Sequence, residues 1–182
     1  MKRNLILVFC IAALLSILTT GTMAYHVSYG VSDNVITAGN IRLELHNCTA
    51  DGSPVPDGGA MACLPGSCYS RVVTAENTGD HPMYLRLSVS KYVQDSTLPA
   101  GDCLNLDIDS VNWQYKDGYY YYLKALAPGE TSTPLFTQVE IDGENVDNQY
   151  LGKTLMLDVC AYGVQSENNA EDVMSAVGWP EA

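Results

Sequence analysis

Positive charge is scarce in this chain of 182 residues: nine Lys and Arg stand against 21 Asp and Glu, a net charge of −12. Binding along a phosphate backbone needs a basic face that displaces counterions, so this balance excludes nucleic acid as a partner. Histidine is rarer still, with only His26, His46 and His81. None stands in an H-E-x-x-H arrangement, which excludes a zincin site, because that chemistry needs two histidines one helical turn apart with a glutamate between them. A G-x-S-x-G elbow, a P-loop and a dinucleotide fingerprint are also missing, and Gly66-Ser67 beside Cys68 has no recognisable base partner. Helical periodicity is nearly absent, and no low-complexity segment or linker divides the chain beyond its first 24 residues. The full chain is 47% hydrophobic and 16% charged, the composition of a globular protein of one domain.

The one long apolar run spans Leu5 to Leu18, broken only by Ser16. Lys2 and Arg3 precede it, and Thr22-Met23-Ala24 follows with small residues at the two positions a signal peptidase inspects. The run falls short of the roughly 18 to 20 residues needed to cross a bilayer, so it reads as a signal peptide cleaved between Ala24 and Tyr25, touching the membrane only transiently. Cys10 has no small residues before it, which speaks against lipoprotein processing. Removing residues 1–24 takes away two bases and no acid, leaving 158 residues with a charge of −14. The expectation is an exported acidic domain over residues 25–182.

Beyond Ala24 the apolar period is two, punctuated by turn residues every ten or so positions, the pattern of an antiparallel sandwich or barrel. Asn40 to Leu45 alternates apolar and charged residues. Met83 to Val93 does the same, with Leu85, Leu87 and Val89 on one face and Tyr84, Arg86 and Ser88 on the other. Tyr69 to Glu76, Leu104 to Ile108, Pro134 to Ile141 and Thr154 to Val164 complete the expected strands. In Val111 to Lys124 the central Asp117-Gly118 predicts a type I′ hairpin, since both residues must take positive φ. That register sets Lys116 opposite Tyr119 and Trp113 opposite Tyr122, so Trp113, Tyr115, Tyr120 and Tyr122 share a face. The preferred reading of this stripe is a core face, with stacking on sugar rings as the alternative. A single short helix is expected near the end, capped by Asn169 and stopped at Gly178.

Five cysteines follow the signal segment: Cys48, Cys63, Cys68, Cys103 and Cys160. Export makes disulfides the default, with two bridges and one thiol left over that is able to join two subunits. Cys48 closes one strand and Cys68 opens the next, the natural pair if those strands lie antiparallel. Both belong to the irregular loop 47–68. The competing reading is a tetrahedral zinc site from His46, Cys48, Cys63 and Cys68. The carboxylates at Asp107, Asp109, Asp142, Glu144 and Asp147 suit calcium by type but match no EF-hand loop, so solvated acidic loops are expected and no cofactor is assigned.

The N-terminus exposed by cleavage, Tyr25-His-Val-Ser-Tyr-Gly-Val31, places Tyr25, Val27, Tyr29 and Val31 on one face of a strand. Residues 25–33 can join their own sheet or complete that of a neighbouring copy, which would polymerise the protein head to tail. The junction Thr22-Met-Ala-Tyr25, with Asn34 to Leu45, Val72 to Arg86, Trp113 to Tyr122, Leu126 to Phe136 and Ala161 to Gln165 in that order, resembles the TasA/camelysin family, exported through SipW-type signal peptides. The resemblance implies an all-β, jelly-roll-like antiparallel β-sandwich and processing by a SipW-type signal peptidase. It also implies secretion to the cell surface or matrix of a Gram-positive-type bacterium, and a biofilm-matrix fibre built from copies of itself or related subunits by donation of the strand Tyr25 to Val31. Camelysin adds a metallopeptidase label for which this sequence carries no motif; a monomeric adhesion module is the third alternative. The cysteine-bearing loop departs from the family pattern. Exported protein is expected to begin at Tyr25, and N-terminal sequencing that finds residues 1–24 retained would refute the processing step.

Overall fold

The computed structural model describes residues 34–37, 41–55 and 59–180. The cleavage junction Ala24–Tyr25 and the donor segment Tyr25 to Val31 lie outside the described residues. The described strands are β1 (Asn34–Thr37), β2 (Leu43–Cys48), β3 (Met61–Ala62), β4 (Cys68–Ser70), β5 (Val72–Asn77) and β6 (Met83–Val93). They continue with β7 (Leu104–Leu106), β8 (Trp113–Lys116), β9 (Tyr119–Tyr122), β10 (Gln138–Ile141) and β11 (Thr154–Gln165). The fold is all-β, with three sheets among the described residues. The largest runs β1-β11-β6-β9-β8, with β3 also on β11; a second runs β4-β10-β7; the third is β2-β5. Every pairing is antiparallel except that of β1, which runs parallel to β11.

The spine is β6 against β11, in register from Met83–Gln165 to Val93–Leu155. Residues opposite one another share a face, so Leu85, Leu87 and Val93 join Leu155, Leu157 and Ala161 in a core to which all three sheets contribute. Val73, Ala75, Leu45, Leu104, Val139 and Ile141 close that core from the two smaller sheets. Gly163 opposite Leu85 sets the approach: a Cβ there would stand 3.1 Å from Ile41 Cγ2 and 3.3 Å from Met83 Sδ, so the layers meet over a position without a side chain.

The hairpin follows its sequence. Asp117 (φ 50°) and Gly118 (φ 88°) form the turn, and the register pairs Lys116 with Tyr119 and Trp113 with Tyr122. Trp113 and Tyr122 are buried with ring centroids 5.0 Å apart, Tyr120 packs against the core, and only Tyr115 lies mostly in solvent. The aromatic stripe is therefore largely a core face.

Three expectations need correction. The segment Tyr69 to Glu76 is two strands in different sheets, β4 and β5, broken at Arg71, whose side chain is buried and whose backbone N–H donates to Thr137 O. The strand expected over Pro134 to Ile141 is regular only from Gln138. Its first half instead follows β5 irregularly, with Leu135 N–H donating to Val73 O and Val73 N–H to Phe136 O. The terminal helix is one 3-10 turn, Val173–Ser175, and Asn169 is not its cap. Asn169 ties the segment together instead, accepting from Ala170 N and Val177 N and donating to Gln165 O and Val177 O.

That segment covers the face of β6 that carries Tyr84 and Arg86. Arg86 is buried there, its guanidinium carbon 3.8 Å from the Tyr119 ring centroid, 4.7 Å from Trp179 and 5.2 Å from Tyr162. It donates to Tyr121 Oη and Pro180 O, while Tyr84 Oη donates to Ala170 O. Rings substitute for water around the charge, a contact worth about 0.5–2 kcal/mol per favourable ring.

At the end of β5, Asn77 is fully buried and holds three chain segments. Its amide donates to His81 O and Leu126 O, and its Oδ1 accepts from Gly79 N. Replacing it strands buried backbone groups, each costing about 1–3 kcal/mol. Asn77→Ala is expected to lower unfolding free energy by about 3 kcal/mol with an unchanged denaturant slope; urea melts showing a loss under about 1 kcal/mol would contradict this.

Candidate functional site

Loop 47–68 and strand β2 carry most of the residues singled out by sequence. The loop is partly structured: Thr49 N–H donates to Ser53 O, Val55 N–H to Asn47 O, Cys48 bridges Pro54, and β3 within it pairs with β11. This scatters the cysteines. Cys48 stands opposite Val72 in the β2-β5 sheet, whereas Cys68 stands opposite Glu140 in another sheet, its Sγ 3.5 Å from Gln138 Oε1. Cys160 is half-buried opposite Ser88. Cys63 and Cys103 are buried, and Cys103 Sγ donates to Pro99 O. All five are free thiols, which overturns the expected disulfides and the Cys48–Cys68 pair in particular. The physical reason is the break at Arg71. It sends Cys68 into a sheet that does not contain Cys48, so the strands are not the antiparallel neighbours that the pairing required.

His46, Cys48, Cys63 and Cys68 are not brought together either. Among the described residues no three His, Cys, Asp or Glu side chains converge as metal ligands. His46 faces carboxylates instead, its Nε2 3.0 Å from Glu76 Oε2 across the sheet and its Nδ1 3.9 Å from Glu44 Oε1.

Most of the acidic residues singled out by sequence are local turn devices. Asp142 accepts from Asn145 N, Glu144 N and Asn105 Nδ2, bonds that hold its carboxyl below the usual range. Asp147 accepts from Gln149 N and Nε2 and is lowered likewise. Asp109 is lowered first by Asn112 and then by the Val111 and Asn112 backbone. For Asp107, burial pushes upward, but hydrogen bonds from Thr137 and Gln138 outweigh it. The lone pairs of Asp109, Asp142 and Asp147 are committed mainly to local turn geometry, and those of Asp107 to Thr137 and Gln138 some thirty residues away.

Sequence reasoning missed Arg71. Its side chain is 3% exposed and lies beside a cavity of about 240 Å³ lined by loop 47–68, β3 and β4. Nε donates to Asn47 Oδ1 at 3.0 Å, while Nη1 has no hydrogen-bond partner among the described residues. A lone Arg in an alternating strand gives no sign of burial; the available signal was the Gly- and Pro-rich loop preceding it, long enough to fold over a side chain. Among the described residues one edge of β2 is also unpaired. β5 takes the other edge, and from Leu43 to His46 no described strand pairs on the far side.

Comparison with protein-family models, with curated proteins and with solved structures finds no match to this chain.

Free thiols have a direct readout. Denatured protein processed to Tyr25, prepared without reductant, is expected to titrate five thiols. In the native state Cys68 reacts first, while Cys63, whose thiol burial and then Cys103 push upward, reacts slowly. Fewer than five thiols in denaturant would show a bridge that the fold does not contain.

Proposed function

We propose that this chain is a secreted, non-enzymatic structural subunit of a cell surface or biofilm matrix, assembling into fibres by passing its N-terminal strand to the next copy. The observation that carries the reading is the bare edge of β2 over Leu43 to His46, within the described residues. An edge strand presents a row of backbone donors and acceptors that an added strand completes. The inward side chains beside that edge, Leu43 and Leu45 with Ile41 before them, are buried against the core. Tyr25, Val27, Tyr29 and Val31 offer the matching alternation of period two. The β8 edge of the large sheet suits a partner less, because β8 is only four residues long and ends in Lys116, an edge-blocking residue.

On this reading the three sheets form a jelly-roll-like sandwich completed by the donated strand, and the contact is heterologous, so it propagates as a filament. The processing enzyme is a SipW-type signal peptidase and the setting a Gram-positive-type cell surface, as the sequence resemblance implies. Absence of a converged ligand cluster among the described residues gives the camelysin-type peptidase reading no support.

Protein beginning at Tyr25 is expected to form filaments or oligomers seen by electron microscopy and sedimentation, whereas a variant lacking residues 25–32 stays monomeric. A synthetic peptide of residues 25–33 is expected to bind that variant and raise its melting temperature. Equal assembly of truncated and intact protein would end the strand-donation reading.

A further inference from the structure

One edge of β11 is paired with β6 from Leu155 to Gln165. The opposite edge is paired in two places. β3 holds Thr154 and Leu155, with Met61 opposite Leu155, and β1 holds Cys160 to Gly163, with Asn34 opposite Cys160. Between them Met156, Leu157, Asp158 and Val159 meet no strand on that edge among the described residues. β3 does not extend into this interval: Gly59, two residues before Met61, stands at φ 81°, off the conformation of a strand, with Arg71 packed against it.

β1 runs parallel to β11, so the chain that enters β1 comes from the direction of this interval. Counting back from Asn34 at Cys160, residues 33, 32, 31 and 30 fall opposite Val159, Asp158, Leu157 and Met156, and residue 29 falls opposite Leu155, where Met61 already stands. Four unpaired positions, about 13 Å at about 3.3 Å per residue, match four residues of chain. The sequence agrees with the count. Opposite residues share a face, so the register gives Val31 to the side of Leu157, which is fully buried, and Ser32 to the side of half-buried Asp158. Asp33, the charged member, falls opposite Val159, on a stretch of β11 that lies near Arg71: burial draws that guanidinium down to about 10, and the charge of Asp158 acts on it in the opposite sense. A carboxylate placed there has a cation in its field. Gly30, the only glycine of residues 25–33, falls at the last unpaired position, where a chain meeting β3 has to turn off the sheet.

We propose that this edge of β11 seats residues 30–33 of the same chain as a continuation of β1, and that β3 ends the seat, so that the chain leaves its own subunit at Gly30 and only residues 25–29 are free to meet another copy. The seat stands whether or not the protein polymerises. Its consequence for assembly rests on the strand-donation reading and narrows the donated part to Tyr25, Val27 and Tyr29 with the two residues between them. Five residues span at most about 18 Å, so subunits joined in this way have to touch.

The test compares proteins beginning at Tyr25, at Gly30 and at Asn34. Hydrogen exchange followed by NMR is expected to show that those amides of Met156 to Val159 that point away from β6 are equally protected in the first two and exchange at least about tenfold faster in the third, with the amides of Val73 and Ala75 in β5 as the reference for global stability. Ser32→Cys with Asp158→Cys, whose Cα atoms the seat brings to about 4.8 Å, is expected to form an intrachain disulfide found by peptide mass mapping. Ser28→Cys with Thr154→Cys is expected to form none, because Ala62 stands opposite Thr154. The exchange series decides the matter even where a cysteine pair disturbs folding. Equal exchange in all three proteins, protection lost already in the protein beginning at Gly30, or trapping of the second pair would each overturn the assignment. Electron microscopy separates it from the reading on which it builds: filaments from the protein beginning at Gly30 would overturn the boundary proposed at that residue, whereas no filaments from the protein beginning at Tyr25, with the exchange pattern as expected, would leave the seat established and strand donation refuted.

Discussion

The register between β6 and β11 is the constraint on which the other features rest. Its pairs run unbroken from Met83–Gln165 to Val93–Leu155, and a slip of one residue would exchange every inward side chain for an outward one. The present register sends Leu85, Leu87, Leu155 and Leu157 into the shared core and Tyr84, Arg86, Tyr162 and Val164 to the opposite face. It also places Lys91 on the inward side, where its ammonium bonds to Gly101 O and Leu104 O and burial draws its pKa down. One ladder thus determines both the core and the aromatic layer that encloses Arg86.

Local chemistry was legible in the sequence, and long-range placement was not. Asp117-Gly118 fixed a hairpin register that the structure reproduces pair for pair, because a two-residue turn leaves the flanking strands no freedom. Alternation likewise revealed β2, β6 and β11. The break at Arg71 was hidden, since an arginine in a period-two segment looks solvent-facing and nothing local announces that the chain changes sheets there. The same blindness produced the Cys48–Cys68 pairing: it assumed that consecutive strands were neighbours, and β4 instead lies on β10. Carboxylates were legible by type and misleading by number, because Asp107, Asp109, Asp142 and Asp147 all turn toward nearby backbone or side-chain donors. The edge of β2 left unpaired among the described residues and the cavity at Arg71 arise from which segments meet in space, so only the structure could bring them into view.

The two faces of the large sheet are covered by different means. The inner face meets other sheets through aliphatic side chains, and the outer face is covered by residues 169–180 through rings, one guanidinium and a few backbone acceptors. Aliphatic contacts tolerate sliding, whereas hydrogen bonds and ring faces fix position. The short terminal segment keeps its place with a single 3-10 turn because Asn169, Tyr84 and Arg86 specify it at separate points.

Burying Arg71 and Arg86 also changes how the molecule looks from outside. Of the seven basic residues beyond residue 24, these two are inside and Lys91 points its ammonium at carbonyls, so Arg42, Lys116, Lys124 and Lys153 supply the positive charge that solvent meets. The acids lie largely at turns and on exposed strand faces. An approaching ion or a second copy therefore meets a surface more negative than the formal −14 of residues 25–182 suggests, and the distance at which two such bodies repel is set by the ionic strength between them.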